Sequence, residues 1–228
     1  MTQQYQCFMH GLIPDRSLHH VLERLVILAG NFSWNGQPNL YEHEIVWHPI
    51  DKQPSDNRKR SDDLVMRLRA SFFDGTSFIK VKNRAWKLAQ LNRPEAPSTM
   101  SDRPRTWNQR GIIESDLEGD VFAYLDLLGY QPAFEFVRKG HQFPCDALRV
   151  CVYQLYKIKT QHMVSSATLL DESSETPPWI MEVTSPLTNA MGTATMGPAI
   201  ERFATFMRGV VDLIAVDHIA LDNKIKYS

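Results

Sequence analysis

Between residues 4 and 13 the apolar positions Tyr5, Cys7, Phe8, Met9, Leu12 and Ile13 fall without helical spacing, which predicts a strand that Pro14 breaks. Ser17 then stands where a helix cap belongs. Leu18, Val21, Leu22, Leu25 and Leu28 recur three and four apart behind it, and Gly30-Asn31 closes the stripe. Five strand-like stretches follow, at 41–50, 64–73, 77–81, 85–91 and 106–114. In the second, Leu64, Met66, Leu68 and Ala70 alternate with Val65, Arg67 and Arg69, the two-residue period of a half-buried strand. Asp74-Gly75 suits the hairpin turn after it. Ser115 with Glu118 reads as a capping box for a helix carrying Val121, Phe122, Tyr124, Leu125 and Leu128, stopped by Gly129. Strands return at 133–143, 148–160, 163–170 and 179–184. A third helix is predicted after Pro198, with Ile200, Phe203, Met207, Val210 and Ile214 on one stripe that Phe206 and Val211 widen.

Strands that follow one another through short turns favour antiparallel pairing, and so many strands leave open edges unless the sheet closes. The predicted fold class is therefore α+β: one domain over 1–228, mainly an antiparallel β-barrel of about eight or more strands, with three helices against its outside or its mouth. Stretches 51–63, 92–105 and 171–178 are rich in Pro, Ser, Asp and basic residues. They predict mobile connections.

Composition narrows the class. The 228 residues carry 43% hydrophobic and 22% charged side chains, as an ordinary packed domain does. Lys and Arg (25) nearly cancel Asp and Glu (26). A chain that grips nucleic-acid backbone needs a positive surplus, so direct nucleic-acid binding is not expected. Cys7, Cys145 and Cys151 make an odd, small set, residues 1–5 lack the basic-then-apolar layout of a secretory signal, and no apolar run approaches the length of a membrane span. Free thiols in a reducing compartment are expected.

Candidate chemistry is thin. Gly192 to Gly197 has the glycine spacing of a phosphate loop, but Pro198 and Ala199 replace its lysine and hydroxyl, so the stretch reads as a flexible lead-in to a helix. Adjacent His19 and His20 splay apart on a helix, and His43 and His48 face opposite sides of a strand, so neither pair makes a metal site. Glu42 and Glu44 share one strand face, and Arg67 with Arg69, Lys80 with Lys82 and Lys157 with Lys159 are same-face basic pairs. Inside a barrel, opposed acids and bases suit metal-dependent cleavage of a triphosphate; on the solvated outer face, the reading preferred for them, they do nothing catalytic. Glu114, Glu135 and Glu182 each stand alone. No catalytic, cofactor-binding or metal-binding residue is predicted, and Arg58-Lys59-Arg60 reads as a solvated loop.

The stretch 6–31, with Gly11, Ser17-Leu18, Leu22, Arg24-Leu25 and Leu28, resembles the start of the Mediator complex subunit 18 family. Leu128-Gly129-Tyr130 and the run from Glu135 to Phe143, which contains Lys139-Gly140-His141-Gln142-Phe143, resemble that family's most recognisable block; 150–158 and 179–183 follow in order. The resemblance implies a barrel related in architecture to triphosphate tunnel enzymes but without a working tunnel, since Val46 stands where their Glu-x-Glu-x-Lys pattern has lysine. It further implies a nuclear, non-enzymatic subunit of the Mediator head module that pairs with subunit 20, is tethered by a C-terminal helix of subunit 8, and supports RNA polymerase II initiation. Candidate partner-binding residues are Arg138, Lys139, His141, Phe143, Phe203 and Phe206, with Gly140 expected at a bend or bulge and His141 in a hydrogen bond within the barrel. The alternative function is a metal-dependent tunnel phosphohydrolase using Glu42 and Glu44.

Overall fold

The computed structural model describes residues 3–30, 32–50, 65–72, 81, 84–96, 105–170 and 177–221. In chain order its elements are β1 (Gln4–Ile13), α1 (Leu18–Leu28), β2 (Leu40–Pro49), β3 (Met66–Ser71), β4 (Trp86–Leu91), β5 (Asn108–Leu117), α2 (Val121–Leu127), β6 (Tyr130–Cys145), β7 (Leu148–Ile158), β8 (Ala167–Leu169), β9 (Trp179–Thr184) and α3 (Thr193–Met207). Every strand pairs antiparallel with its neighbours. The order β6-β2-β3-β4-β5-β1-β9-β7 closes because β7 pairs back onto β6, and β8 extends the wall beside the end of β7. Closure removes the exposed edges that so many strands otherwise present.

Two apolar cores lie against the outside of this ring, under the helices. α1 buries Val21, Leu22 and Leu25, and α3 buries Ile200, Phe203 and Met207, against Cys7, Met9, Phe143, Val150, Val152, Met181 and Val183 of the wall. On another part of the wall, α2 sets Val121 and Leu125 over Ile45, Trp47, Leu68, Ala70 and Trp86. Each large side chain so buried contributes about 1.5–3 kcal/mol. Strand β2 is buried at every position from Leu40 to Trp47, because α2 covers one face and the barrel lumen lies behind the other.

Local expectations fail in four places. Ser115 does not cap α2: β5 runs on to Leu117, and the Asp120 carboxylate accepts a hydrogen bond from the Ala123 N–H (3.1 Å). Helix α3 begins at Thr193, before Pro198, and ends at Met207, so Val210, Val211 and Ile214 leave the expected stripe. Ile214 instead exchanges backbone hydrogen bonds with His10 (2.8 and 3.1 Å). The glycine run before Pro198 is therefore the first turns of a packed helix, with Gly197 seated so close to the Trp107 indole that a Cβ there would overlap it. Gly140 marks no bulge, since the β6–β7 register runs unbroken through Gly140↔Tyr153. Its missing Cβ lets the two backbones approach at Val152.

Of the expected loops, 51–63, most of 92–105 and most of 171–178 lie outside the described residues, as do the Asp74-Gly75 turn, most of the 77–81 strand, Arg58 to Arg60 and the Lys80–Lys82 pair.

Candidate functional site

The register fixes what the barrel encloses. Glu42 and Glu44 of β2 lie opposite Arg138 and Phe136 of β6, and Glu44 lies opposite Arg69 of β3. Alternation then places Arg67, Arg110, Glu182, Tyr153 and Cys151 on the same inward face. The preferred expectation for Glu42 and Glu44, a solvated outer face, is corrected here: both are buried, Glu44 to 1% exposure. Odd positions on β2 look just as apolar, and helices cover them from outside.

Arg138 is the hub. Its guanidinium reaches Glu182 Oε2 (3.1 Å), Glu42 Oε2 (2.8 Å) and Glu44 Oε2 (3.4 Å), and lies over the Tyr153 ring. The contact to Glu42 Oε2 lies off the line of a good hydrogen bond, so it acts as an ion pair. Glu44 also accepts from Arg67 Nη1 (2.6 Å) and Arg69 Nε (2.9 Å), and Glu42 from Arg149 Nη2 (2.6 Å). Burial alone raises a carboxyl pKa, but Arg69, Arg138 and Arg67 outweigh it and bring Glu44 down to about 2. Burial likewise opposes, and Arg138 with Arg149 overcomes, in lowering Glu42; His10 and Arg138 overcome it at Glu182, which ends well below the ordinary carboxyl range. Arg110 differs. It donates to Gln6 (3.2 Å) and lies over the Phe8 ring at 4.4 Å, and burial brings its pKa down to about 10.

This lumen contains the acid and base types that a triphosphate tunnel needs, yet each carboxylate of the Glu42–Glu44 pair is already held by two or more guanidinium groups. A divalent ion there would have to displace them. Val46 lies buried on the same inward face, where a tunnel enzyme needs a lysine. Among the described residues no group of three or more His, Cys, Asp or Glu side chains is placed to hold a metal ion.

A second polar cluster lies outside the wall beneath α2. Arg84 donates to Nδ1 of His43 (2.7 Å), so the imidazole proton sits on Nε2 and is donated to Glu135 (2.9 Å). Burial pushes the His43 pKa down, consistent with a neutral ring. Glu135 also accepts from the His162 backbone N–H (2.5 Å). His19 and His20 pair with Glu23 on the exposed face of α1.

The candidate partner-binding residues separate sharply. Arg138, His141, Phe143 and Phe203 are buried within the chain, Arg138 in the lumen, Phe143 and Phe203 in the outer core. His141 packs between Trp34 and Trp179, and burial lowers its pKa. Lys139 is half-buried over the Tyr41 ring, and Phe206 is exposed on α3. The hub role of Arg138 and its bond to Glu182 are not visible in the sequence, because Glu182 stands alone on β9 and meets Arg138 only across β7.

Comparison with known proteins follows this architecture. A family model described as Med18 protein matches residues 5–224. The Mediator of RNA polymerase II transcription subunit 18 of Yarrowia lipolytica is 23% identical over 249 residues, covering 97% of this chain and 99% of that one. That of Xenopus laevis is 24% identical over 210 residues, covering 92% and 87%. Among solved structures, a chain from the Schizosaccharomyces pombe Mediator head module superposes with a TM-score of 0.71 at 20% identity, covering 93% of this chain and 98% of that one. At that identity the likeness is one of fold, whereas the family model spans nearly the whole sequence: the chain belongs to the Med18 family.

Proposed function

We propose that this chain is a nuclear, non-enzymatic structural subunit of the Mediator head module that supports RNA polymerase II transcription initiation by binding its neighbours. In that reading it pairs with subunit 20, is tethered by the C-terminal helix of subunit 8, and meets the polymerase through the assembled module. The observation that carries the non-enzymatic part is the lumen, where Arg67, Arg69, Arg138 and Arg149 occupy the carboxylates that a tunnel enzyme keeps for metal. Membership in the Med18 family and the head-module origin of the S. pombe fold relative support the assembly part. Surfaces suited to protein contact remain on the described exterior: Phe206 on α3, Ile27 on α1 and Leu127 on α2 are all more than half exposed. Of the candidate contacts, Lys139 and Phe206 are the two that keep accessible surface.

The test is affinity purification of the tagged chain from nuclear extract. Recovery of subunits 20 and 8 in matched amounts is expected. A chain that comes down alone from an extract with intact Mediator overturns the assembly reading. Hydrolysis of inorganic triphosphate by the purified chain, dependent on added magnesium or manganese and lost on Glu44→Gln, overturns the non-enzymatic one.

A further inference from the structure

Arg110 stands apart among the cations that the barrel encloses. Arg67, Arg69, Arg138 and Arg149 each pair with Glu42 or Glu44. Arg110 is 9% exposed, yet no carboxylate of the described residues comes within ion-pair reach of it. Phe8 covers one face of its guanidinium plane, Gln6 accepts one of its N–H groups, and its Nε is buried with no acceptor. Burial and then Arg69 bring its pKa down to about 10, which still leaves it charged at neutral pH.

The charge count agrees. Glu114 of β5 and Glu182 of β9 join Glu42 and Glu44 on the inward face, so four glutamates stand against five arginines between the exposed rims. One positive charge is in surplus there among the described residues. An unpaired buried charge is costly, and a counter-ion relieves it. A second polar atom near by also lacks a partner: Nδ1 of His10, whose ring meets the Phe8 ring edge-on at 5.5 Å between centroids. Solvent reaches the lumen beside Arg110, since the Arg67 and Arg69 side chains, which add to the positive field there, keep 21% and 23% of their surface exposed.

We propose that the lumen binds one small oxyanion, inorganic phosphate or sulfate, on the free edge of the Arg110 guanidinium. Parallel N–H groups on such an edge match two oxygens of a tetrahedral ion, which a spherical halide cannot offer. Arg67 and Arg69 add attraction from β3, while Glu44 and Glu182, both close enough to act on Arg110, limit the charge that fits. A surplus of one charge therefore selects a single ion, and a polyphosphate would press its further charges against those glutamates. The depth of Arg110 suits a free ion better than a phosphorylated side chain of another protein. The ion balances the charge of the wall and undergoes no reaction, so the inference goes beyond the subunit reading and does not depend on it.

Phosphorus NMR and thermal unfolding of the purified full-length chain test this, at an ionic strength held constant with sodium chloride. The parent protein is expected to broaden the resonance of inorganic phosphate, to lose that broadening when sulfate competes, and to unfold a few degrees higher at saturating phosphate. Arg110→Met should abolish both the broadening and the phosphate-dependent shift. Arg110→Lys keeps the charge without the fork and should weaken binding about tenfold, which decides the matter if the methionine variant does not fold. No effect of phosphate on the parent, an equal effect on either variant, or a shift that added chloride reproduces overturns the proposal. Tighter binding of tripolyphosphate than of phosphate overturns the single-ion charge balance. Tighter binding of a phosphoserine peptide, lost on Arg110→Lys, overturns the free ion in favour of a modified partner.

Discussion

On the outer side of the wall Ile45, Leu68 and Trp86 pack against Leu125 of α2, whereas one residue further along the same strands Glu44 and Arg69 meet inside the lumen. The outer face is held by apolar area, which is non-directional and tolerates rearrangement. The inner face is held by pairs whose partners are fixed atom by atom, and its central guanidinium serves carboxylates from two strands. A one-residue slip of β2 would carry Glu42 and Glu44 into the apolar layer under α2 and bring Ile45 inward. The charged lumen therefore specifies register, while the helices outside supply the bulk of the burial. Buried ion networks need not add net stability over an apolar filling, but breaking one is costly.

The largest effect should come from breaking the inner side alone. Arg138→Ala leaves Glu42, Glu44 and Glu182 buried with fewer cations, and is expected to cost about 3–5 kcal/mol in urea unfolding. Leu125→Ala on the outer side removes a fully buried side chain beneath α2 and should cost about 3 kcal/mol. The two sites share no partner across the wall among the described residues, so the double variant should lose the sum within about 0.5 kcal/mol. A smaller loss for Arg138→Ala than for Leu125→Ala would show that the lumen relaxes or takes in water, and the contrast between the faces would fall.

The outer side is largely legible in the sequence. Val21, Leu22 and Leu25 give α1 its buried stripe, with Leu18 partly buried beside them, and β9 matches its expected span of 179–184. The number of strands and the need for closure follow from their consecutive order. The inner side is half legible. Same-face pairing of Glu42 with Glu44 and of Arg67 with Arg69 is visible in the alternation, but not which face turns inward, because Tyr41, Ile45 and Trp47 on the other face look like a core and are one. Arg138 and Glu182 are 44 residues apart and meet only across β7. The helix termini fail for local reasons: Ser115 and Glu118 mimic a capping box at the end of a strand, and Pro198 sits several residues inside α3 rather than at its first position.

Acid provides an intermediate test. Glu42, Glu44 and Glu182 all have folded pKa values below the usual carboxyl value. For such groups the unfolded chain binds protons first as the pH drops. Their contribution is therefore complete above about pH 5 and is lost as pH falls through the folded values toward about 2. Each group that titrates alone contributes roughly 1.4 kcal/mol for every pH unit between its folded and unfolded values. The unfolding midpoint should fall steeply between about pH 5 and pH 2.5. Arg138→Ala should flatten that slope by removing a cation that Glu42, Glu44 and Glu182 share. A variant as acid-sensitive as the parent would mean that carboxylates elsewhere set the acid limit.

The smallest effect belongs to a carboxylate whose contacts lie in water. Glu23 on α1 lies 3.0 Å from His19 and 3.6 Å from His20, with all three side chains more than half exposed. Solvent screens such contacts, the imidazoles carry charge only when protonated, and the side chains lose rotamer freedom in making them, so Glu23→Gln should leave the urea midpoint within experimental scatter at any salt concentration. Glu44→Gln, measured beside it, strips charge from a site that Arg67, Arg69 and Arg138 surround and should shift the midpoint clearly downward. Equal shifts for the two variants would mean that enclosure by the barrel adds nothing to a charge pair, and the distinction between its inner and outer surfaces would lose its physical basis.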